Sequence, residues 1–127
     1  MFVTLIVGIL DLETGILKLC NAGHNPPILI YPDGQVSYLE FKTQIFVGVV
    51  EDFKYSDEEV VLEKESKLFL YTDGVTEAEN INKELYGEEK LLEMLSDNAS
   101  SDVRTTVNVV VDSIASHVKE AEASDDL

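Results

Sequence analysis

Up to about residue 71 the chain consists of short apolar runs separated by turn residues, a pattern that predicts β-hairpins. The run at residues 2–10 is almost continuously apolar, as expected of a strand that is covered on both faces in an intact fold. An Asp-Leu-Glu-Thr-Gly turn leads from it into a second predicted strand at residues 16–20. By the same reasoning, strands are predicted at residues 28–31, 35–41, 60–62 and 68–71.

Beyond Gly74 the spacing of apolar residues becomes helical. Leucines follow Gly87 at helical spacing, with Glu88 and Glu89 in the first turn, where the helix dipole favours them. A longer helix is predicted from about residue 102 to 120, since its apolar residues recur every three or four positions. We expect Ser100 or Ser101 to be its N-cap, and His117 and Lys119 to lie in its last turn.

Hairpins followed by helices predict an α+β fold, with antiparallel β-sheets packed against helices. At 127 residues the chain is expected to be a single domain, residues 1–127. The sequence shows neither a long apolar span nor a signal peptide, so we expect a cytoplasmic protein.

The chain is strongly acidic, with a net charge of −16. This charge argues against nucleic acid and anionic membranes as partners, because both would repel it. One interpretation of the acidity is that it keeps the protein soluble. The other is that some of the carboxylates converge to bind a hard cation. The single cysteine, Cys20, lies in an apolar strand and is interpreted as a small core residue.

The sequence Tyr-Thr-Asp-Gly-Val-Thr-Glu-Ala at residues 71–78 delivers Asp73 from the end of an apolar strand into a turn. A metal-ligand aspartate is often presented in this way, because the strand holds the backbone rigid up to the ligand. Gly74 then lets the chain turn sharply beside Asp73. Asp-Gly is also the commonest hairpin turn, so a purely structural role is the alternative. Thr72 is expected to hydrogen-bond the backbone and keep the Asp73 carboxylate oriented.

A second motif, Asn-Ala-Gly-His-Asn-Pro-Pro, occupies residues 21–27 at the end of another apolar run. Its simplest interpretation is a structural turn in which Gly23 supplies a special dihedral angle, while Asn21 and Asn25 bind backbone groups. A positioning role near an active site is a second interpretation, and a direct catalytic role for His24 is a third.

Two further motifs follow along the chain: a Tyr-Gly-Glu-Glu-Lys-Leu helix start at residues 86–91 and a closing Asp125-Asp126. The order and spacing of the four motifs resemble those of a known family. The chain is similar to the SpoIIE/RsbU-type serine phosphatases of the metal-dependent PPM (protein phosphatase 2C-like) superfamily. The resemblance extends over essentially the whole sequence. It implies a PPM-type sandwich whose N-terminal half is missing, so that this chain would be the C-terminal part of the domain, truncated at both ends.

The family pattern also implies roles for individual residues. Asp73 would bind one metal ion, with Asp125 as its second ligand and Asp126 as the alternative if the register differs by one. The cofactor would be Mg²⁺ or Mn²⁺, with two ions in the intact domain and weak or absent binding here. Asn21, Gly23, His24, Asn25, Thr72 and Gly74 would position groups near the site, and no catalytic residue beyond the metal ligands is implied.

The function implied is hydrolysis of phosphoserine or phosphothreonine by metal-activated water. The expected partner is a phosphorylated signalling protein such as a STAS-type anti-anti-sigma factor. A non-catalytic, phosphatase-like interaction module or an inactive fragment is the alternative. Alone, the chain is expected to lack activity and to form a homodimer or a swapped assembly, since apolar strands would lose their covering elements. It departs from the family at residues 46–48 and 64–67, both in predicted turns.

Overall fold

The computed structural model describes the backbone of residues 2–125 and the side chains of residues 2–119. Its strands and helices follow one another as β1 (Leu5–Leu10), β2 (Ile16–Ala22), β3 (Ile28–Ile30), β4 (Val36–Tyr38), β5 (Glu58–Val61), β6 (Lys67–Phe69), α1 (Asp73–Thr76), α2 (Glu88–Asp97) and α3 (Val103–Asp125). Antiparallel sheets followed by helices confirm the predicted α+β class.

The chain divides into two compact units. The first contains the residues up to 29 together with residues 38–70, and the second contains residues 30–37 and the residues from 71 onward. We describe each unit by itself.

The first unit is built on an antiparallel sheet with the strand order β1-β2-β5. Side chains alternate between the two faces of a strand, and along β2 the residues Leu17 and Leu19 are buried while Lys18 is exposed. Lys18 pairs with Glu59 of β5 across the sheet, with 3.5 Å between Nζ and Oε1. Both side chains are exposed, so this ion pair adds little stability.

Strand β1 forms an edge of this sheet, and unlike β2 it exposes apolar side chains. Its apolar residues Leu5, Val7 and Ile9 share a face with Lys18 and are exposed, Ile9 at 70% of its surface. The sequence predicts that the intact fold covers this strand on both faces. In this chain an apolar face and a strand edge are open to solvent.

A second sheet has the strand order β4-β3-β6. The β3–β4 hairpin turns at Gly34, whose N–H donates to the carbonyl of Tyr31. The predicted strand at residues 35–41 is shorter in the structure and ends at Tyr38. The Leu39 N–H still donates to the Pro27 carbonyl, but Pro27 has no N–H with which to continue the ladder.

In the second unit, α2 packs against α3. Leu91 and Leu95 are fully buried and lie one helical turn apart on α2, as the sequence pattern predicts. The Ser96 hydroxyl of the same helix donates to the Gly34 carbonyl at 2.6 Å.

The long helix begins within one residue of the predicted position, but its predicted N-cap and its predicted C-terminal end are wrong. The N-cap is Asp102 rather than a serine, since its Oδ1 accepts the Thr105 N–H at 2.7 Å. The helix continues to Asp125, so His117 lies inside it rather than in its last turn. His117 is buried, with Nε2 2.9 Å from the Glu84 carbonyl and its ring edge-on to Tyr86. In the described part of the chain, no helix combines the length and apolarity needed to cross a membrane.

Candidate functional site

Asp73 is delivered to the surface by a strand, as the sequence predicts. Strand β6 ends at Phe69, Thr72 remains extended at φ −116° and ψ 169°, and Asp73 begins the single helical turn α1. The Glu77 N–H donates to the Asp73 carbonyl at 2.8 Å, which closes this turn and fixes the backbone of Asp73. The Asp73 side chain is exposed, so its carboxylate is accessible to a hydrated ion.

Thr72 and Gly74 flank Asp73 in this segment. Gly74 lies inside α1 with an ordinary backbone conformation, so the Asp-Gly pair does not form the alternative hairpin turn. A Cβ atom placed on Gly74 would meet the Thr72 Oγ1 at 3.4 Å. Thr72 occupies the N-cap position without a side-chain capping hydrogen bond, while its carbonyl accepts the Val75 N–H at 3.0 Å. The positioning roles of Thr72 and Gly74 stay predictions.

The turn at residues 21–25 begins in the last two residues of β2 and is organised by Asn21, which is only 1% exposed. The Oδ1 atom of Asn21 accepts the His24 N–H at 2.8 Å, and its Nδ2 donates to the His24 carbonyl at 3.0 Å. Gly23 has φ +75°, the left-handed conformation that favours glycine. The structural interpretation of Asn21 and Gly23 in this turn is therefore confirmed.

The His24 side chain is half-buried, with Nδ1 3.2 Å from the Asn25 carbonyl. A proton on Nδ1 makes this contact a hydrogen bond and leaves Nε2 as the accepting nitrogen. The geometry thus orients the imidazole through its own turn. The positioning and catalytic interpretations of His24 and Asn25 both stay predictions.

The chemistry of Asp73 fits a hard divalent cation, because a carboxylate oxygen is the ligand type that Mg²⁺ and Mn²⁺ prefer. Within the described residues, however, no group of three or more His, Cys, Asp or Glu side chains could hold a metal ion. Asp125 is the last residue of α3, and its side chain is not among those described. Asp126 lies outside the described residues.

The predicted site residues are divided between the two units. The turn of Asn21, Gly23, His24 and Asn25 belongs to the first unit, and Thr72, Asp73 and Gly74 belong to the second. The structure therefore brings together the members of each motif, as their adjacency in sequence requires.

Sequence reasoning did not identify two residues that hold the turn at residues 21–25. The N–H of Gln44 donates to the Asn21 carbonyl at 3.1 Å, and the ring of Phe46 lies against Gly23. Both come from the long loop between β4 and β5. The only available signals were a single glutamine and an aromatic residue near Gly48, and neither has a periodic pattern that points to a contact more than twenty residues away.

The profile of the family described as Stage II sporulation protein E (SpoIIE) matches residues 1–127. The chain belongs to the SpoIIE family. It is also similar to Protein IcfG of Synechocystis sp., with 29% identity over 127 residues, which are 100% of this chain and 20% of that protein.

Solved structures agree with the fold. The RsbU and RsbW domains of Rv1364c from Mycobacterium tuberculosis match with a TM-score of 0.71 and 23% identity, covering 93% of this chain and 32% of that one. The SiaA-PP2C domain of Pseudomonas aeruginosa matches with a TM-score of 0.68 and 23% identity, covering 84% of this chain and 42% of that one. This SpoIIE-family chain therefore spans less than half the length of these relatives.

Proposed function

We propose that this chain is part of a metal-dependent serine/threonine protein phosphatase. The observation that carries the proposal is the match of the SpoIIE family to all of residues 1–127. The presentation of Asp73 supports it, because its exposed carboxylate lies a few residues after β6, on a backbone that the Glu77 N–H holds by a hydrogen bond.

Asp73 and Asp125 would be the protein ligands of one metal ion, with Asp126 as the alternative to Asp125. Mg²⁺ or Mn²⁺ is the cation that suits two carboxylates and retained water. Structures of a relative include the phosphatase domain of SpoIIE from Bacillus subtilis presoaked with Mn, which resembles this chain with a TM-score of 0.65. When bound, such ions neutralise charge on the phosphoryl oxygens and activate water for hydrolysis.

The chain's own residues would supply position rather than a covalent nucleophile. The turn α1 holds the backbone of Asp73, so only the side chain has to be ordered when its carboxylate binds a cation. Asn21, Gly23, His24 and Asn25 form a hydrogen-bonded turn that would have a positioning role near the active site of the intact domain. Thr72 and Gly74 would act through the backbone on either side of Asp73.

The substrate we propose is a phosphoserine or phosphothreonine on a signalling protein, such as a STAS-type anti-anti-sigma factor, in the cytoplasm. The similarity to a protein that joins an RsbU domain to an RsbW domain supports a signalling partner. A net charge of −16 argues against nucleic acid or an anionic membrane as the target.

We also propose that residues 1–127 form the C-terminal part of a phosphatase domain. The chain covers 47% and 49% of two solved chains of the SpoIIE phosphatase domain from B. subtilis. The exposed apolar face of β1 is consistent with an element that covers it in a longer protein, or with a homodimer or swapped assembly of this chain.

A non-catalytic, phosphatase-like interaction module is the second candidate. The match of the SpoIIE family to residues 1–127 is compatible with it, because that match supports the fold whether or not the protein binds a metal ion. Such a module would keep the fold and bind a phosphoprotein without dephosphorylating it.

The test compares this chain with the full-length protein that its gene encodes, using a phosphoserine peptide and p-nitrophenyl phosphate with millimolar Mn²⁺. We expect turnover by the full-length protein, loss of turnover on adding a chelator, and no turnover by residues 1–127 alone. A full-length protein that binds a phosphoprotein but releases no phosphate would favour the interaction module. Chelator-sensitive turnover by residues 1–127 would show that this chain is not an inactive part.

A further inference from the structure

The ring of Phe46 lies directly against the backbone of Gly23. A Cβ atom at Gly23 would overlap Cδ1 and Cε1 of Phe46, so the ring occupies the space where any other residue would carry its side chain. We infer that Phe46 is a positioning residue that holds the turn at residues 21–25, and with it His24, in one conformation. Its consequence for catalysis rests on the proposed phosphatase function.

Gly23 is the point at which this turn could most easily change conformation. It has φ +75°, and glycine reaches either sign of φ at little cost, so its own backbone preference does not select this state. A ring packed on its Cα removes the free space into which the peptide units would swing. Phe46 thus restricts the conformation that Gly23 itself leaves open.

Burial does not account for the placement of Phe46, because 43% of its surface is exposed. Its backbone is instead held from both sides. The Phe46 carbonyl accepts the Tyr55 hydroxyl at 3.1 Å, and the next residue, Val47, forms two backbone hydrogen bonds with Val3 at 2.9 and 3.1 Å. An exposed aromatic residue whose main chain is fixed in this way serves as a support for its neighbour.

Gln44 ties the same loop to the turn. Its N–H donates to the Asn21 carbonyl, while its side chain binds the backbone of Ser56 in both directions, each at 2.8 Å. The loop and the turn therefore share one hydrogen-bonded frame, and Phe46 projects from it onto Gly23.

The remaining contacts of the turn converge on His24. Asn21 holds both the N–H and the carbonyl of His24, and the Asn25 carbonyl lies 3.2 Å from Nδ1. Gly23 lies between Asn21 and His24 in the chain. A change of its φ would therefore move His24 relative to Asn21 and break their two hydrogen bonds. Phe46 therefore acts on the orientation of the imidazole through Gly23.

The first experiment compares Phe46→Ala and Phe46→Leu in the full-length protein labelled with ¹⁵N-histidine. His24 signals are assigned by their loss in His24→Gln. We expect Phe46→Ala to shift or split the His24 signals and to lower kcat about tenfold with KM unchanged, and we expect Phe46→Leu to restore most of both. Val50→Ala is the control, since Val50 is an exposed apolar residue of the same loop.

The second experiment is a double-mutant cycle with melting temperature as its readout. Gly23→Ala should lower the melting temperature, because the new methyl group overlaps the ring and φ +75° disfavours alanine. Phe46→Ala should lower the melting temperature less in the Gly23→Ala background than in the unchanged protein, because it also relieves the overlap of the new methyl group with the ring. Equal losses in the two backgrounds would show that the ring moves aside freely, which would overturn the proposal.

Unchanged His24 signals in Phe46→Ala would also overturn it. These readouts do not depend on turnover. If the full-length protein hydrolyses no phosphoester, the proposed function fails, while the histidine signals and the melting cycle still decide whether Phe46 positions the turn.

Discussion

Asn21 and His24 are joined by two hydrogen bonds of opposite direction: the Asn21 side chain accepts the His24 N–H at 2.8 Å and donates to the His24 carbonyl at 3.0 Å. A single buried amide thus satisfies both backbone groups of a residue three positions along the chain. Backbone groups at such a turn need partners as much as those within a strand do. This relationship makes Asn21 the first residue to test for the stability of the first unit.

Asn21→Ala should lower the free energy of unfolding by about 1–3 kcal/mol, because it leaves the His24 N–H and carbonyl without these partners in a part-buried turn. Urea unfolding measures this difference. Asn108→Ala on α3 is the control, since Asn108 is exposed and should change stability by less than about 0.5 kcal/mol. Equal effects of the two substitutions would contradict the role of Asn21.

Asp73→Asn should remove nearly all phosphatase activity of the full-length protein while leaving its fold unchanged. The amide keeps the shape of the side chain but lacks the charge that holds a cation. Phosphate release from a phosphoserine peptide with Mn²⁺ measures the effect, beside Asp112→Asn, an exposed aspartate of α3. Retention of a tenth of the activity in Asp73→Asn would be incompatible with a ligand role.

The hydroxyl of Tyr86 donates to Ser113 Oγ at 2.8 Å and links α3 to the segment before α2. Tyr86→Phe and Ser113→Ala should each cost about 1 kcal/mol of stability, because each removes this part-buried hydrogen bond. The double variant should lose little more than either single variant, since the bond can be lost only once. Fully additive losses would mean that the two residues stabilise the second unit independently.

Residues 1–127 alone should associate at micromolar concentration through the exposed face of β1, because an open strand edge with apolar neighbours favours pairing. Ile9→Lys should reduce this association, as measured by light scattering and binding of a hydrophobic dye. Leu12→Lys adds the same charge in the turn after β1, where Leu12 is 89% exposed, and should reduce it less. A monomeric mass for the unchanged chain would refute the prediction.

The local pattern of this sequence determines where most elements lie. Alternating burial along β2 follows directly from its alternating sequence, and Leu91 and Leu95 are buried together because they are four residues apart on a helix. The presentation of Asp73 after a strand is likewise local, since it depends on adjacent residues. A glycine at position 23 permits the left-handed conformation that Phe46 then holds. Both motifs were therefore recognisable from the sequence alone.

Element boundaries at Gly74 and Asp102 required the structure. Asp-Gly is compatible with either a hairpin turn or the first turn of a helix, and the hydrogen bond from Glu77 to Asp73 selects the helix. Three consecutive polar residues could each cap α3, and only the position of Thr105 identifies Asp102 as the one that does. Local propensity leaves such choices nearly equal in energy.

The contacts that hold the candidate site were decided by tertiary structure alone. Phe46 lies twenty-three positions from Gly23, and Gln44 lies as far from Asn21. No periodicity connects residues at that separation, because the path of the intervening loop determines whether they meet. The sequence by itself determined which residues could carry the chemistry, and the folded loop decided how the turn at residues 21–25 is held, because close packing and directional hydrogen bonds exist only once distant segments come together.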